Sequence, residues 1–217
     1  MMQTLFIDVV SDVVCPWCFL GKRRLDAALS LLPEANVTVR WRPFMLDPAI
    51  PPDGMDRAVY LTAKFGAERL ASLHDPLIAA GAELNVPFHF DAVTRTPNTL
   101  DAHRLIRWAH TAERQHEMAE RLFMAYWGEG KDVGDRAILA AEAGAAGLNA
   151  TQIAGLLDSD VDVENVRAEI RHANEIGVTG VPTFILGQRY ALVGAQSPEV
   201  LADAIKRVAK DVLTPPA

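Results

Sequence analysis

The chain has 217 residues, 50% of them hydrophobic and 23% charged, enough for a substantial core without disulfide staples and too apolar for a disordered chain. Its formal charge of −7 sets the surface against a phosphate backbone, and no uninterrupted apolar stretch approaches the roughly 18 residues of a membrane span. Nucleic acid and membrane are therefore not expected partners. The run Met1 to Phe6 lacks the basic region and cleavage site of a secretory signal, and Asp8 and Asp12 interrupt the apolar residues that follow, so a cytoplasmic location is expected.

Thr4 to Val10 is β-branched and apolar apart from Asp8, which predicts a strand. Phe19, Leu20, Leu25, Ala28, Leu29 and Leu32 then recur at helical spacing up to a break at Pro33. Val37 to Arg42 alternates apolar with polar residues, the period of a half-buried strand. Between Asp47 and Gly54 three prolines forbid regular helix and mark a boundary. Beyond it the patterning predicts helices over 57–65, 67–84, 99–112, 116–127, 135–146, 151–157 and 163–176, with Asn98 and Asn149 as N-caps.

The β pattern returns in 182–186 and 189–194, joined by Gly187-Gln188, which predicts a hairpin with a II′-type turn. Ser197 and Pro198 open a last helix that places Val200, Leu201, Ile205 and Val208 on one face. The order β-α-β, helices, β-β-α predicts an α/β, thioredoxin-like fold. Residues 1–54 and 177–217 form its core, and an all-helical insertion domain, 55–176, splits it.

The two cysteines lie together in Cys15-Pro16-Trp17-Cys18. In a reducing compartment such a pair is catalytic or metal-binding before it is structural. Disulfide exchange needs a thiolate nucleophile, and Pro16 as first helical residue leaves Cys15 at the N-cap, where free first-turn N–H groups can point at its sulfur. A helix dipole supplies only about 0.3 to 2 kcal/mol, so direct N–H to sulfur bonds must add to it. Cys18 follows one turn inside, which assigns Cys15 the attack and Cys18 the resolving step. Cβ atoms three apart on a helix are separated by about 5 to 6 Å against roughly 3.5 to 4.5 Å in a disulfide, a gap that a non-helical Cys15 can close. A zinc site would need two further ligands; His103 and His110 share a predicted helix, but no second cysteine pair exists, so no metal is expected.

Beyond the cysteine motif, matching residues span most of the chain. They are Val10 to Leu25, Trp41-Arg42-Pro43-Phe44, Asn98 to Leu105, Gly177 to Phe184, and Arg189-Tyr190 leading to Gly194-Ala195-Gln196. In these the chain resembles the DsbA-like thioredoxin family, and specifically its FrnE-type branch. The resemblance implies a cis Val181–Pro182 bond beside the cysteines, with Pro182 shielding the sulfurs as part of the catalytic set. The backbone of Val181 would pair with an extended substrate by strand addition, and Pro16 and Trp17 complete the expected substrate contacts.

No tightly bound cofactor is implied. The expected partners are thiols or disulfides of proteins, peptides or glutathione, with glutathione as a candidate redox partner and the insertion as a candidate homodimer face. Strongly oxidising relatives carry His where this chain has Trp17. The family also holds kappa-type glutathione transferases and 2-hydroxychromene-2-carboxylate isomerases, which typically carry serine at the first cysteine. A glutathione-dependent isomerase or transferase is accordingly the alternative, and a zinc-binding module the non-enzymatic one. Asp8 is either a buried proton relay to Cys18 or a solvent-facing strand residue. Asn98, Asp101 and His103 read most simply as capping and surface residues, and Trp108, Phe123, Tyr126 and Trp127 as the core of the insertion.

Overall fold

Leu5–Ser11 forms strand β1, buried along nearly its whole length as befits the interior of a sheet. The computed structural model describes residues 4–70 and 72–213. After β1 come helix α1 (Pro16–Ser30) and strand β2 (Val37–Pro43), which pairs with β1 in parallel. The insertion follows as β3 (Met55–Asp56), α2 (Arg57–Phe65), α3 (Ala67–Leu70), α4 (Asp75–Ala82), a 3-10 turn at Phe90–Ala92, β4 (Arg95–Thr96), α5 (Leu100–Trp108) and α6 (Gln115–Phe123). It ends with a π-helical turn at Met124–Gly128, α7 (Arg136–Ala145), α8 (Ala150–Leu157) and α9 (Val163–Glu175). Strands β5 (Thr183–Leu186) and β6 (Tyr190–Val193) and helix α10 (Pro198–Leu213) close the chain.

The sheet order is β2-β1-β5-β6, with β5 antiparallel to β1. Helices α1 and α10 pack together and α10 also meets β1, while α9 lies against β2 and brings Ala173 and Val178 onto Val10. The fold is a mixed α/β thioredoxin-like core with a helical insertion. Its main hydrophobic cluster runs through both parts: Phe123 stacks on Phe19 of α1 at 5.4 Å and meets Trp41 of β2 edge-on at 5.9 Å. The insertion aromatics therefore line a core shared with the sheet layer. Trp108 is only half-buried and spends its indole N–H on Asp162 at 2.9 Å.

The helix expected over 67–84 is two helices, α3 and α4, because Pro76 lacks the N–H that a continuous helix needs and is confined to the first turn of α4. Ala71, inside that expected helix, and residues 1–3 and 214–217 of the expected core segments lie outside the described residues. The hairpin turn is not II′. Gly187 and Gln188 both take positive φ, 57° and 61°, the pattern of a I′ turn. Asn149 caps α8 by accepting the Gln152 N–H at 3.0 Å, and Asn98 serves α5 from one place earlier, accepting from Leu100 at 3.0 Å. On α10, Leu201, Ile205 and Val208 are buried as expected but Val200 is exposed. No helix among the described residues is long and apolar enough to cross a membrane.

Candidate active site

The pairing of Val10 with Thr183 sets the start of β5 beside the end of β1. The loop leaving β1 and the loop entering β5 therefore meet, and both sulfurs sit at that junction. Cys15 is the N-cap of α1, with extended backbone (φ −92°, ψ 113°) and Pro16 opening the helix. Its N–H reaches the Asp12 carbonyl at 3.0 Å, and its own carbonyl accepts the Cys18 N–H at 3.0 Å. The non-helical conformation expected of a reversible pair is present, and both cysteines are free thiols.

One expectation fails: no first-turn N–H caps the Cys15 sulfur. Sγ instead donates across the junction to the Val181 carbonyl at 3.6 Å. A protonated thiol is a donor and seeks an oxygen. The Val181–Pro182 bond is cis, as the resemblance implied. The loop is pinned on one side by Thr183 Oγ1 donating to the Gly180 carbonyl at 2.7 Å, and on the other by the Gly194 N–H on the Pro182 carbonyl at 2.8 Å. Pro182 rests directly on α1 at Gly21, where a Cβ would fall 2.8 Å from its Cγ. Trp17 is 40% exposed and Pro16 half-buried, forming an apolar rim beside the sulfurs.

Cys18 lies behind Cys15, fully enclosed. Burial pushes its thiol up, and the neighbouring Cys15 sulfur, as hydrogen-bond partner and as charge, pushes the same way; a backbone hydrogen bond from Asp12 pulls against them. Asp12 is the residue that sequence reasoning missed. Wholly buried, it accepts the Leu46 N–H at 2.8 Å, and its other oxygen stands 3.5 Å from Nε2 of His103. That nitrogen donates to the Phe44 carbonyl at 2.9 Å, which can only accept, so Nε2 carries a proton. The available signal was a carboxylate three residues before Cys15 at the end of an apolar strand.

His103 is thus buried, not a surface residue, whereas Asp101 pairs with Arg104 at 2.6 Å and Arg136 at 2.9 Å. Asp8 is buried too, but it does not serve the sulfurs. Arg40 holds both its oxygens, at 2.8 and 2.6 Å, and Arg42 adds a third bond at 2.7 Å. Among the described residues no three His, Cys, Asp or Glu side chains converge as a metal-ligand set.

Residues 6–206 match the family described as the DSBA-like thioredoxin domain. The chain belongs to that family. As a DSBA-like protein it is a thiol–disulfide oxidoreductase in the general sense of the superfamily. It is 29% identical to the uncharacterized protein YwbO of Bacillus subtilis, over 94% of this chain and 96% of YwbO. The crystal structure of a probable DsbA oxidoreductase, SCO1869 from Streptomyces coelicolor, is 30% identical and superposes with a TM-score of 0.89, covering 98% of this chain and 93% of that one. The cytosolic disulfide reductase DsbM of Pseudomonas aeruginosa, determined with GSH, shares 21% identity and a TM-score of 0.65 over 93% of this chain and 98% of its own. At that identity the likeness is one of fold.

Proposed function

We propose that this DSBA-like chain performs dithiol–disulfide exchange with Cys15 as nucleophile and Cys18 as resolving cysteine, as a FrnE-type member of the family. The observation that carries the reading is the unequal setting of the two sulfurs. Cys15 stands at a helix N-terminus against the Val181 carbonyl, while Cys18 is sealed behind it with its proton held by burial. The Cys15 thiolate attacks one sulfur of a substrate disulfide, forming a mixed disulfide and expelling the other sulfur as thiolate. Cys18 then loses its proton and attacks the Cys15 sulfur; the intramolecular disulfide forms, the bond to substrate breaks, and the second thiolate leaves. The protein is oxidised by two electrons and the substrate reduced by two, and the reverse sequence oxidises a dithiol.

Pro182 shields the pair, and Val181, Pro16 and Trp17 supply the substrate contacts. Substrates are disulfides or thiols of proteins and small molecules. Glutathione, present in the DsbM structure, is the proposed small redox partner, and the cytoplasm the proposed compartment. Insulin reduction and glutathione disulfide turnover test the reading. Cys15→Ser abolishes both, and Cys18→Ala accumulates a mixed disulfide that mass spectrometry detects. Full turnover surviving Cys18→Ala would instead mark a glutathione-dependent isomerase or transferase.

A further inference from the structure

Arg57 opens α2 and is 8% exposed, yet among the described residues it pairs with no carboxylate. Its Nη1 donates to the Tyr126 hydroxyl at 3.2 Å, and its guanidinium lies 5.0 Å from the centroid of the Trp127 ring. Both partners are neutral. Burial pushes the Tyr126 phenol up to about 12 against the pull of Arg57 itself, so Tyr126 keeps its proton and supplies no counter-charge. Trp127 Nε1 is itself buried without an acceptor, so the cluster holds an excess of N–H donors. Among the described residues the guanidinium nitrogens not bonded to Tyr126 have no partner, and they are not sealed from solvent.

The carboxylates nearby are committed elsewhere. Asp12 accepts from Leu46 at 2.8 Å, Asp56 from Val59 at 2.9 Å and Asp132 from Gly134 at 2.9 Å. Asp91, which shares the surroundings of His74 with Arg57, is exposed and does not pair with it. A largely buried guanidinium held among neutral groups leaves the arrangement one anion short among the described residues.

The cluster is tied to the redox site. Tyr126 lies within electrostatic reach of Asp12, whose carbonyl accepts the Cys15 N–H. Phe88 bridges the two regions, edge-on to Phe19 of α1 at 5.7 Å and to Trp127 at 6.3 Å.

We propose that Arg57 is an anion subsite of the exchange centre, binding a carboxylate of the substrate whose sulfur meets Cys15. The inference rests on the exchange reading above. A guanidinium presents a planar fork that matches a carboxylate bidentately. The carboxylate comes either from a small thiol or from an acidic side chain beside a protein cysteine.

The test compares kcat/KM for glutathione disulfide with that for its ester, and for disulfide peptides carrying Glu or Gln beside the cysteine. Wild-type protein should favour the charged member of at least one pair by roughly 10- to 100-fold, the worth of a charge-assisted hydrogen bond. Preference within the glutathione pair identifies a small thiol as the source, and preference within the peptide pair an acidic protein segment. Arg57→Gln should collapse the ratio, and Arg57→Lys should restore part of it. No preference in wild type, or a preference that Arg57→Gln leaves intact, overturns the subsite. If the wild-type protein turns over none of these disulfides, the exchange reading fails on its own. Calorimetric binding of S-methylglutathione against its ester then decides the subsite, which stands if only the acid binds and falls if neither does.

Discussion

Two residues separate Cys15 from Cys18, and the helix start between them gives the sulfurs different surroundings. Cys18 carries a testable linkage. Its folded-state thiol titrates above the ordinary value of about 8.5, so as pH rises the unfolded chain loses its proton first. The stabilisation is complete below that value and declines above it, by at most about 1.4 kcal/mol per pH unit. Urea titrations of reduced protein at about pH 7 and pH 9.5 should show this decline, and Cys18→Ala should lessen it; equal slopes would remove the argument for a proton held by burial. The unequal settings of the two sulfurs, one at the helix N-cap and one a turn inside, were legible in the sequence because both follow from one local motif. Asp12 was not, since what marks it is enclosure by Leu46 and His103, contributed by a distant loop and by the insertion. Asp8 misled for the same reason: its partners Arg40 and Arg42 become neighbours only through the parallel pairing of β1 with β2.

At the level of elements, the site depends on how closely the loop before β5 lies on α1. Gly21 permits that approach, because any side chain there would strike the Pro182 ring and, at 3.3 Å, crowd Phe184. Gly21→Ala should lower stability by about 1 to 3 kcal/mol, the usual cost of overpacking. It should also slow insulin reduction by shifting Pro182 off the sulfurs; a urea midpoint and a rate both at wild-type values would contradict this. Strands and long helices were readable from periodicity and caps. The errors fell where chemistry at one position overrides a pattern, as with Pro76 dividing the expected helix and Gln188 taking positive φ beside Gly187. The two-residue strands β3 and β4 are too short for any period to register.

Over the whole molecule, sheet and insertion share one core, with Phe123 resting on Phe19 and Gln115 Oε1 accepting the Trp41 N–H at 2.9 Å. Residues 55–176 expressed alone should therefore fail to show a cooperative thermal transition by circular dichroism, because Phe123 and the neighbouring apolar faces would lose their cover. A sharp transition in that fragment would make the insertion an independent folding unit.

The register of β1 against β5 carries a further consequence. The distance from Cys15 to the Val181 carbonyl is set by hydrogen bonds between two strands, and the insertion between them supports it through the residues it packs into the shared core. The parts of such an insertion that face away from the shared core can be lengthened or resurfaced while the sulfur keeps its place. Chemistry and selectivity are then separately heritable: the ladder preserves the reaction, and residues such as Arg57 are free to change which molecules reach it.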